Sequence, residues 1–485
     1  MILKRRSFIR NVTLAGLSTA GISTIRTSNH SSHSFRQQEG YSNVKTFGAK
    51  GDGQTDDRLS IQAAIDSIRQ TGGTVFIPAG TYRLSLNPEE QLGIKVYSNM
   101  QIIGAGRGNT ILKWLDNVTT TSQHYLLAAH NGFVENVTIA DFEIDGNKSK
   151  RGDETFQIRG EGIEIDGKNI HIRNMYIHDV LGEGIDCDAS DGFFVSHVIV
   201  ENTGGNGIHC SDARVRNVMI SNCITRNCAH GRRNSGNARY GGLVLRGSNI
   251  YVNQHISNDD ARIASIEGQG NEQDNEIVLT GVTGHARTED AEGFRIGMQG
   301  RVVLSQCRSN LPNTTKENLR ATDFRGSLNL SQCYMESGDA TPYAISMEGT
   351  LVMEGCTAKL RNRNHTEKAF RLDVNGRAVM RNCEFIPSQP DHPVSRTNRT
   401  VSTQIGRDSE SDPVEVQIIG NHLDQDDNLL HLTRNVIKGF VNGNIVGKNI
   451  LLEGKNISCV NNMVPKITDH GKNNVTAPNY PNDHQ

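Results

Sequence analysis

"GEGIDCDASDGFFVSHVIVEN" occupies Gly182 to Asn202. The same phrase precedes it as "GEGIEIDGKNIHIRNMYIHD" from Gly160 and follows it as "GNGIHCSDARVRNVMISNCITRN" from Gly205. The Gly-x-Gly-Ile signature returns after 22 and then 23 residues, and only the polar letters between change. Apolar residues alternate with polar ones through each phrase, which is the period of a strand, and almost no helical period interrupts them. A repeat in the twenties built of two-faced strands indicates a solenoid in which each coil buries its inward face only against the coils above and below. The fold expected is all-β, a single-stranded parallel β-helix.

The same frame extends down the chain through "NIYVNQHISND", "NEIVLTGVTGH", "RVVLSQCRSN", "SLNLSQCYME", "TLVMEGCTAK" and "RAVMRNCEFI", each read as one strand. One inward column then holds Met175, Val198, Cys223, His255, Val282, Cys307, Cys333, Cys356 and Cys383, continuing at His422 and Ile445. Cys187 and Cys210 fall on inward positions of the upstream strand, and Cys-x-x-Cys is absent, so the cysteines read as stacked, reduced, small hydrophobes and not as a disulfide framework. His255 reads as a satisfied core residue. Near the start, "DDRLSIQAAIDSIRQTGG" places Leu59, Ile61, Ala64, Ile65 and Ile68 at helical spacing, a helix expected to cap the open end of the solenoid.

The polar letters carry the chemistry. With Ile163, Ile165, Ile185 and Cys187 inward, Glu164, Asp166, Asp186 and Asp188 point outward, and His209 and Ser211 take those places one coil later. Neighbouring strands lie about 4.8 Å apart, so Glu164, Asp186 and His209 form one column. Like charges this close raise one another's pKa, a cost that structure alone does not repay. A site does repay it, because one carboxyl kept protonated beside one kept ionised serves glycoside hydrolysis. The diagonal from Glu164 to Asp188 is roughly 8 Å, within the roughly 6.5–9.5 Å of an inverting pair, whereas Glu164 and Asp186 stand nearer the retaining spacing, so the stereochemical outcome stays open. Asp188 or Asp186 is expected as acid, Glu164 or its aspartate partner as base, and His209 as the residue that orients them. Glu183, Tyr240, Arg246, Arg232 and Arg233 are expected to touch substrate. Asp166 precedes a glycine and fits a turn-shaping role equally well. No cofactor and no metal-ligand loop is read.

"VKTFGAKGDGQTDDRLSIQAAIDSIRQTGGTVFIPAGTYRLS", Val44 to Ser85, resembles the N-terminal signature of the pectate-lyase-like superfamily, which includes polygalacturonase relatives, alginate C5-epimerases and phage tailspike depolymerases. The resemblance implies a right-handed parallel β-helix that binds polysaccharide along its outer face. It leaves the reaction open between hydrolase, lyase and epimerase. The acidic residue, acidic pair and histidine on successive coils resemble the polygalacturonase layout, but the pair is Asp-Cys-Asp and the basic Arg-x-Lys partner is missing, with Arg246 the nearest substitute. "GEGIDCD" resembles the Gly-Tyr-Gly-Phe-Asp-x-His motif of alginate epimerases, keeping Asp186 but placing Glu183 at Tyr and Asp188 at His. In that second reading Tyr240, His209, Lys148, Lys150 and Arg151 would supply the base and the positive group that C5-proton removal needs. The leading expectation is a glycoside hydrolase of an acidic polysaccharide; the alternatives are a lyase or C5-epimerase, and a non-catalytic carbohydrate-binding solenoid.

A net charge of −2 gives no sign of a nucleic-acid partner, and no apolar run reaches the roughly 20 residues of a membrane span. "KRRSFIR" followed by "NVTLAGLSTAGIST" resembles a twin-arginine export signal, which implies the twin-arginine machinery as partner and a periplasmic or secreted location. The organisation expected is signal and polar linker over residues 1–40, β-helix catalytic domain over 41–465, and a disordered tail over 466–485, in a monomer.

Overall fold

A computed structural model describes residues 40–116, 118, 122–151, 160–229, 241–268, 275–361, 368–387, 402–405, 413–423, 429–476 and 479–480. The chain from Tyr41 onward is all-β, with strands that pair in parallel from coil to coil. Each coil contributes three strands. In the coil that begins at Gly160 they are Gly160–Glu164, Gly167–Arg173 and Tyr176–His178, each pairing with its counterpart Ile185–Cys187, Ser190–Ser196 and Ile199–Glu201 one coil on. Three parallel stacks of strands result, here called the first, second and third sheets, of which the first two join into one 26-stranded sheet and the third is a 15-stranded sheet; the strands Gly160–Glu164 and Ile185–Cys187 belong to the first.

The phrase read as one strand, "NIHIRNMYIHD", is therefore two strands meeting at a corner. Asn174, His197, Asn222 and Gln254 adopt left-handed backbone there, with φ between 52° and 55°. Asparagine tolerates this conformation better than other side chains, so one such residue per coil reverses the pleat and turns the chain. The inward column Met175, Val198, Cys223, His255 and onward sits just after this corner and is fully buried. All nine cysteines are free and buried, as the sequence implied.

The column does not continue at His422 and Ile445, which face outward. Gly420 and Gly443 make the corner, so the inward residues are Asn421 and Asn444. Each buried amide is satisfied by the next: Asn421 Nδ2 donates to Asn444 Oδ1 at 2.9 Å and Asn444 Nδ2 to Asn462 Oδ1 at 2.9 Å. A polar ladder thus takes over from the thiol ladder at no cost in unpaired groups. Residues expected as a tail extend it: Ile467–Asp469 is a strand, Asn462 Nδ2 donates to Asn479 Oδ1 at 3.1 Å, and Met463 bridges to Tyr480.

A helix, α1 (Arg58–Asp66), buries Ile61, Ala64 and Ile65 in the core, while Leu59 on its other side is 68% exposed. No helix among the described residues is long and apolar enough to cross a membrane.

Candidate active site

The opening repeat explains itself in the stacking of the first sheet. A side chain on Gly162 would meet the Gly184 carbonyl at 2.6 Å, one on Gly184 the Gly207 carbonyl at 2.7 Å, and one on Gly207 the Gly242 carbonyl at 2.7 Å. The second glycines are thus a column packed backbone against backbone. The isoleucine that follows each is buried, and the residue after it faces outward: Glu164 pairs with Asp186, and Asp186 with His209.

The sequence column is therefore present, but it is less open than expected. Asp186 is only 4% exposed, and its Oδ1 lies 2.6 Å from His209 Nδ1. Asp188 Oδ1 stands 3.9 Å from the same nitrogen. Burial opposes charge on His209, but the Asp186 hydrogen bond and the charges of Asp186, Glu183 and Asp188 outweigh it and raise its pKa, so the imidazolium is favoured. Glu164 is pushed up to about 7, chiefly by burial, while a hydrogen bond from Tyr125 pulls the other way and Asp186 adds repulsion. Asp188 is pushed up to about 6 by burial and by Asp186, against the pull of His209. Burial and the neighbouring Glu164 raise the Tyr125 phenol, so it stays protonated at neutral pH.

Asp166 leaves the group. Its Oδ1 accepts the backbone amides of Asp188 and Ala189, each at 2.7 Å, and so shapes the turn that presents Asp188. Glu183, expected to touch substrate, is 2% exposed. Its carboxyl group lies over the bare Cα of Gly205, where a Cβ would meet it at 2.9 Å, and Asn206 Nδ2 donates to it at 3.4 Å. Arg246 stands one coil past Ser211, half-buried, and holds down the Asp212 carboxyl with Arg214. Tyr240, Arg232 and Arg233 lie outside the described residues. Of the other cations considered, Arg151 is taken up inside the fold: it donates to the Val118 and Gly146 carbonyls at 3.2 and 3.4 Å, bonds His124, and lies over the Trp114 ring.

Sequence reasoning missed Tyr125, Glu161 and Arg214. Tyr125 lies on the preceding coil in "HYLLAA", a strand without the glycine signature; the register pairs it with Glu161 and sets Ala128 against Glu164, so it reaches Glu164 diagonally. Glu161 is fully buried, accepts from Gln123 Nε2 at 2.8 Å and is raised by burial and by Asp186. The repeated Glu at the x of Gly-x-Gly was its signal. Carboxylate oxygens of Glu161, Glu183 and Asp186 lie within 4.8 Å of one another, as do ligand atoms of Asp186, Asp188 and His209, and, on the third sheet, of Asp145, His178 and Asp179, so a cation could be held at each.

The rhamnogalacturonase A/epimerase, pectate lyase-like family model matches residues 41–286, just over half of the chain and all of this site. The chain belongs to that family. Mannuronan C5-epimerase AlgE3 of Azotobacter vinelandii is 32% identical over 195 residues, 39% of this chain and 10% of that protein. Alginate lyase 7 of the same organism is 32% identical over 196 residues, 34% of this chain and 23% of the relative. The preneck appendage protein of Bacillus phage PZA is 28% identical over 270 residues, 45% of this chain and 30% of that one. The chain thus spans under a third of the length of these relatives.

Proposed function

We propose that the protein acts on a uronate-containing polysaccharide and removes the proton at C5 of the sugar, as a C5-epimerase or a lyase. The observation that carries this is the juxtaposition, on the outer face of the first sheet, of a carboxyl, a phenol and an imidazolium: Glu164 hydrogen-bonded to Tyr125 and stacked through Asp186 onto His209. Relatives that are mannuronan C5-epimerases and an alginate lyase support the same reading over a hydrolase.

The chemistry runs as follows. His209, held charged by Asp186, pairs with the uronate carboxylate and stabilises the negative charge that gathers there when C5 loses its proton. Glu164 in its ionised form takes that proton. Cleavage then needs a proton at the departing O4, which the protonated Tyr125 phenol beside Glu164 can give, leaving a C4–C5 double bond, whereas inversion needs a proton delivered to C5 from the face opposite Glu164. The two outcomes share the first step and differ only in where the second proton goes.

Hydrolysis is the second reading, favoured by Glu164 and Asp188, two carboxyls on neighbouring coils both held up by burial. Incubation with polymannuronate and a panel of acidic polysaccharides separates the cases. Absorbance near roughly 235 nm marks a lyase, altered sugar configuration by NMR without cleavage marks an epimerase, and new reducing ends without absorbance mark a hydrolase. Binding without any product points to a carbohydrate-binding solenoid.

We further infer that α1 covers the open end of the solenoid, that the coils wind right-handed as βαβ-like crossovers do, and that "KRRSFIR" directs export. The twin-lysine variant of Arg5 and Arg6, followed by cell fractionation, tests the last point: retention in the cytoplasm is the expected result.

A further inference from the structure

Beyond His209 the same register column of the first sheet continues through Val244 and Ser265, both fully buried, and then through Arg295, Arg320, the buried Ala344 and Arg371. Arg295 and Arg320 are exposed, sit on adjacent strands, and border a groove of about 340 Å³ lined also by Gly297, Gln299, Thr322 and Asp323. All of its lining residues except Gly268 lie past residue 286, where the family match ends.

Two guanidiniums carried on strands about 4.8 Å apart repel each other unless an anion lies between or beside them. Arg320 is partly compensated: its Nε donates to Thr322 Oγ1 at 3.1 Å and stands 3.4 Å from Glu317, which also takes Arg371 at 2.6 Å. Arg295 makes no ion pair among the described residues. The groove floor is bare for no backbone reason. Gly297 is not in left-handed conformation, and a Cβ there would meet only the Thr322 carbonyl at 3.6 Å, an ordinary contact. Planar, fork-shaped donors over an open floor suit a carboxylate on a pyranose ring.

Arg295 is three strands beyond His209 and Arg320 four, about 14 and 19 Å along the solenoid axis. We propose that this groove is a distal subsite for a uronate of the same polysaccharide chain whose reacting sugar lies at Glu164 and His209. The proposal rests on the reading of that cluster as acting on an anionic chain. It makes the enzyme sensitive to chain length, because a disaccharide at the cluster cannot reach Arg295.

Calorimetric titration with polymannuronate, with the wild type and with Arg295→Ala and Gly297→Leu, tests it, together with kinetics on polymer and on disaccharide. Arg295→Ala should weaken polymer binding five- to tenfold and raise KM for polymer by the same factor. It should leave kcat within twofold and not alter disaccharide kinetics. Gly297→Leu, which fills the floor without straining the backbone, should match it. If the wild type binds polymannuronate and both variants bind it equally well, or if disaccharide kinetics fall in step with those of polymer, the subsite is overturned. If the wild type binds no polyuronate at all, the functional reading falls with it.

Discussion

Tyr125 and Glu164 come from different coils and different sequence contexts, yet their hydrogen bond is what distinguishes proton shuttling from a mere patch of acids. Tyr125→Phe keeps the ring and removes only the proton. It should lower kcat by at least about 10²-fold with KM within a few-fold, as general acid–base groups do, measured on whichever polysaccharide the wild type transforms. Equal losses in KM would instead make Tyr125 a binding residue. Buried histidines give a second residue-scale test. Thr225 Oγ1 donates to Asp260 at 2.5 Å and so accepts from His255 Nε2 at 3.1 Å. Burial depresses the His255 pKa to about 3 from its ordinary 6.5, so the folded protein keeps it neutral while the unfolded chain charges below 6.5. Its contribution is whole above pH 6.5 and falls by about 1.4 kcal/mol per pH unit below it. His255→Gln removes that dependence, so its cost by urea unfolding should be about 2 kcal/mol smaller at pH 5 than at pH 7. Glu164, Asp186 and His209 were legible as a column because period 2 fixes which side chains share a face. The burial of Asp186 and Glu183 was not, because it depends on what the flanking coils and glycines leave open.

At the scale of the strand, the second glycine of each Gly-x-Gly-Ile is the element that sets the site. Gly184→Ala would press a methyl group against Val200 Cγ1 and the Gly207 carbonyl, neither of which can retreat without moving a neighbouring coil. Overpacking of this kind costs about 1–3 kcal/mol. Gly184→Ala should therefore lower the unfolding free energy measured in urea by that amount, while Gly297→Ala, which meets nothing closer than 3.6 Å, should leave it within about 0.5 kcal/mol. Element boundaries were the part of the fold that the sequence concealed. An alternating run such as "NIHIRNMYIHD" keeps its period through a corner, and the single left-handed Asn174 that breaks it into two strands has the same letter as many surface asparagines. The shift from His422 to Asn421 has the same origin: glycine at 420 turns the corner one residue earlier than an apolar reading of the phrase places it.

Over the whole molecule, one core column changes chemistry from thiol to amide without changing place. Cys383 N–H donates to Asn421 Oδ1 at 2.8 Å, the joint between the two ladders. Asn444 Oδ1 accepts both the backbone N–H and Nδ2 of Asn421, so Asn444→Leu strands the Asn421 backbone N–H, while Asn421 Nδ2 keeps the Met380 carbonyl and Asn462 Oδ1 keeps the backbone N–H of residue 444. Such an unmet group costs about 1–3 kcal/mol, and urea unfolding should register a loss of that order. An unchanged midpoint would mean that the ladder is incidental to stability. The solenoid itself was legible from the repeat alone, since a period in the twenties with two-faced strands admits few other folds. The reaction was not, because the glycine frame is shared by enzymes that differ only in the polar letters. If Glu164 takes a proton from C5, hydrogen at that carbon must exchange with solvent or be lost. Incubated with polymannuronate in deuterated water, the wild type should either place deuterium at C5 of the product or lose the C5 hydrogen to a C4–C5 double bond, and Glu164→Gln should do neither. A wild type that transforms the polymer while its C5 hydrogens stay unlabelled and unremoved would contradict the account.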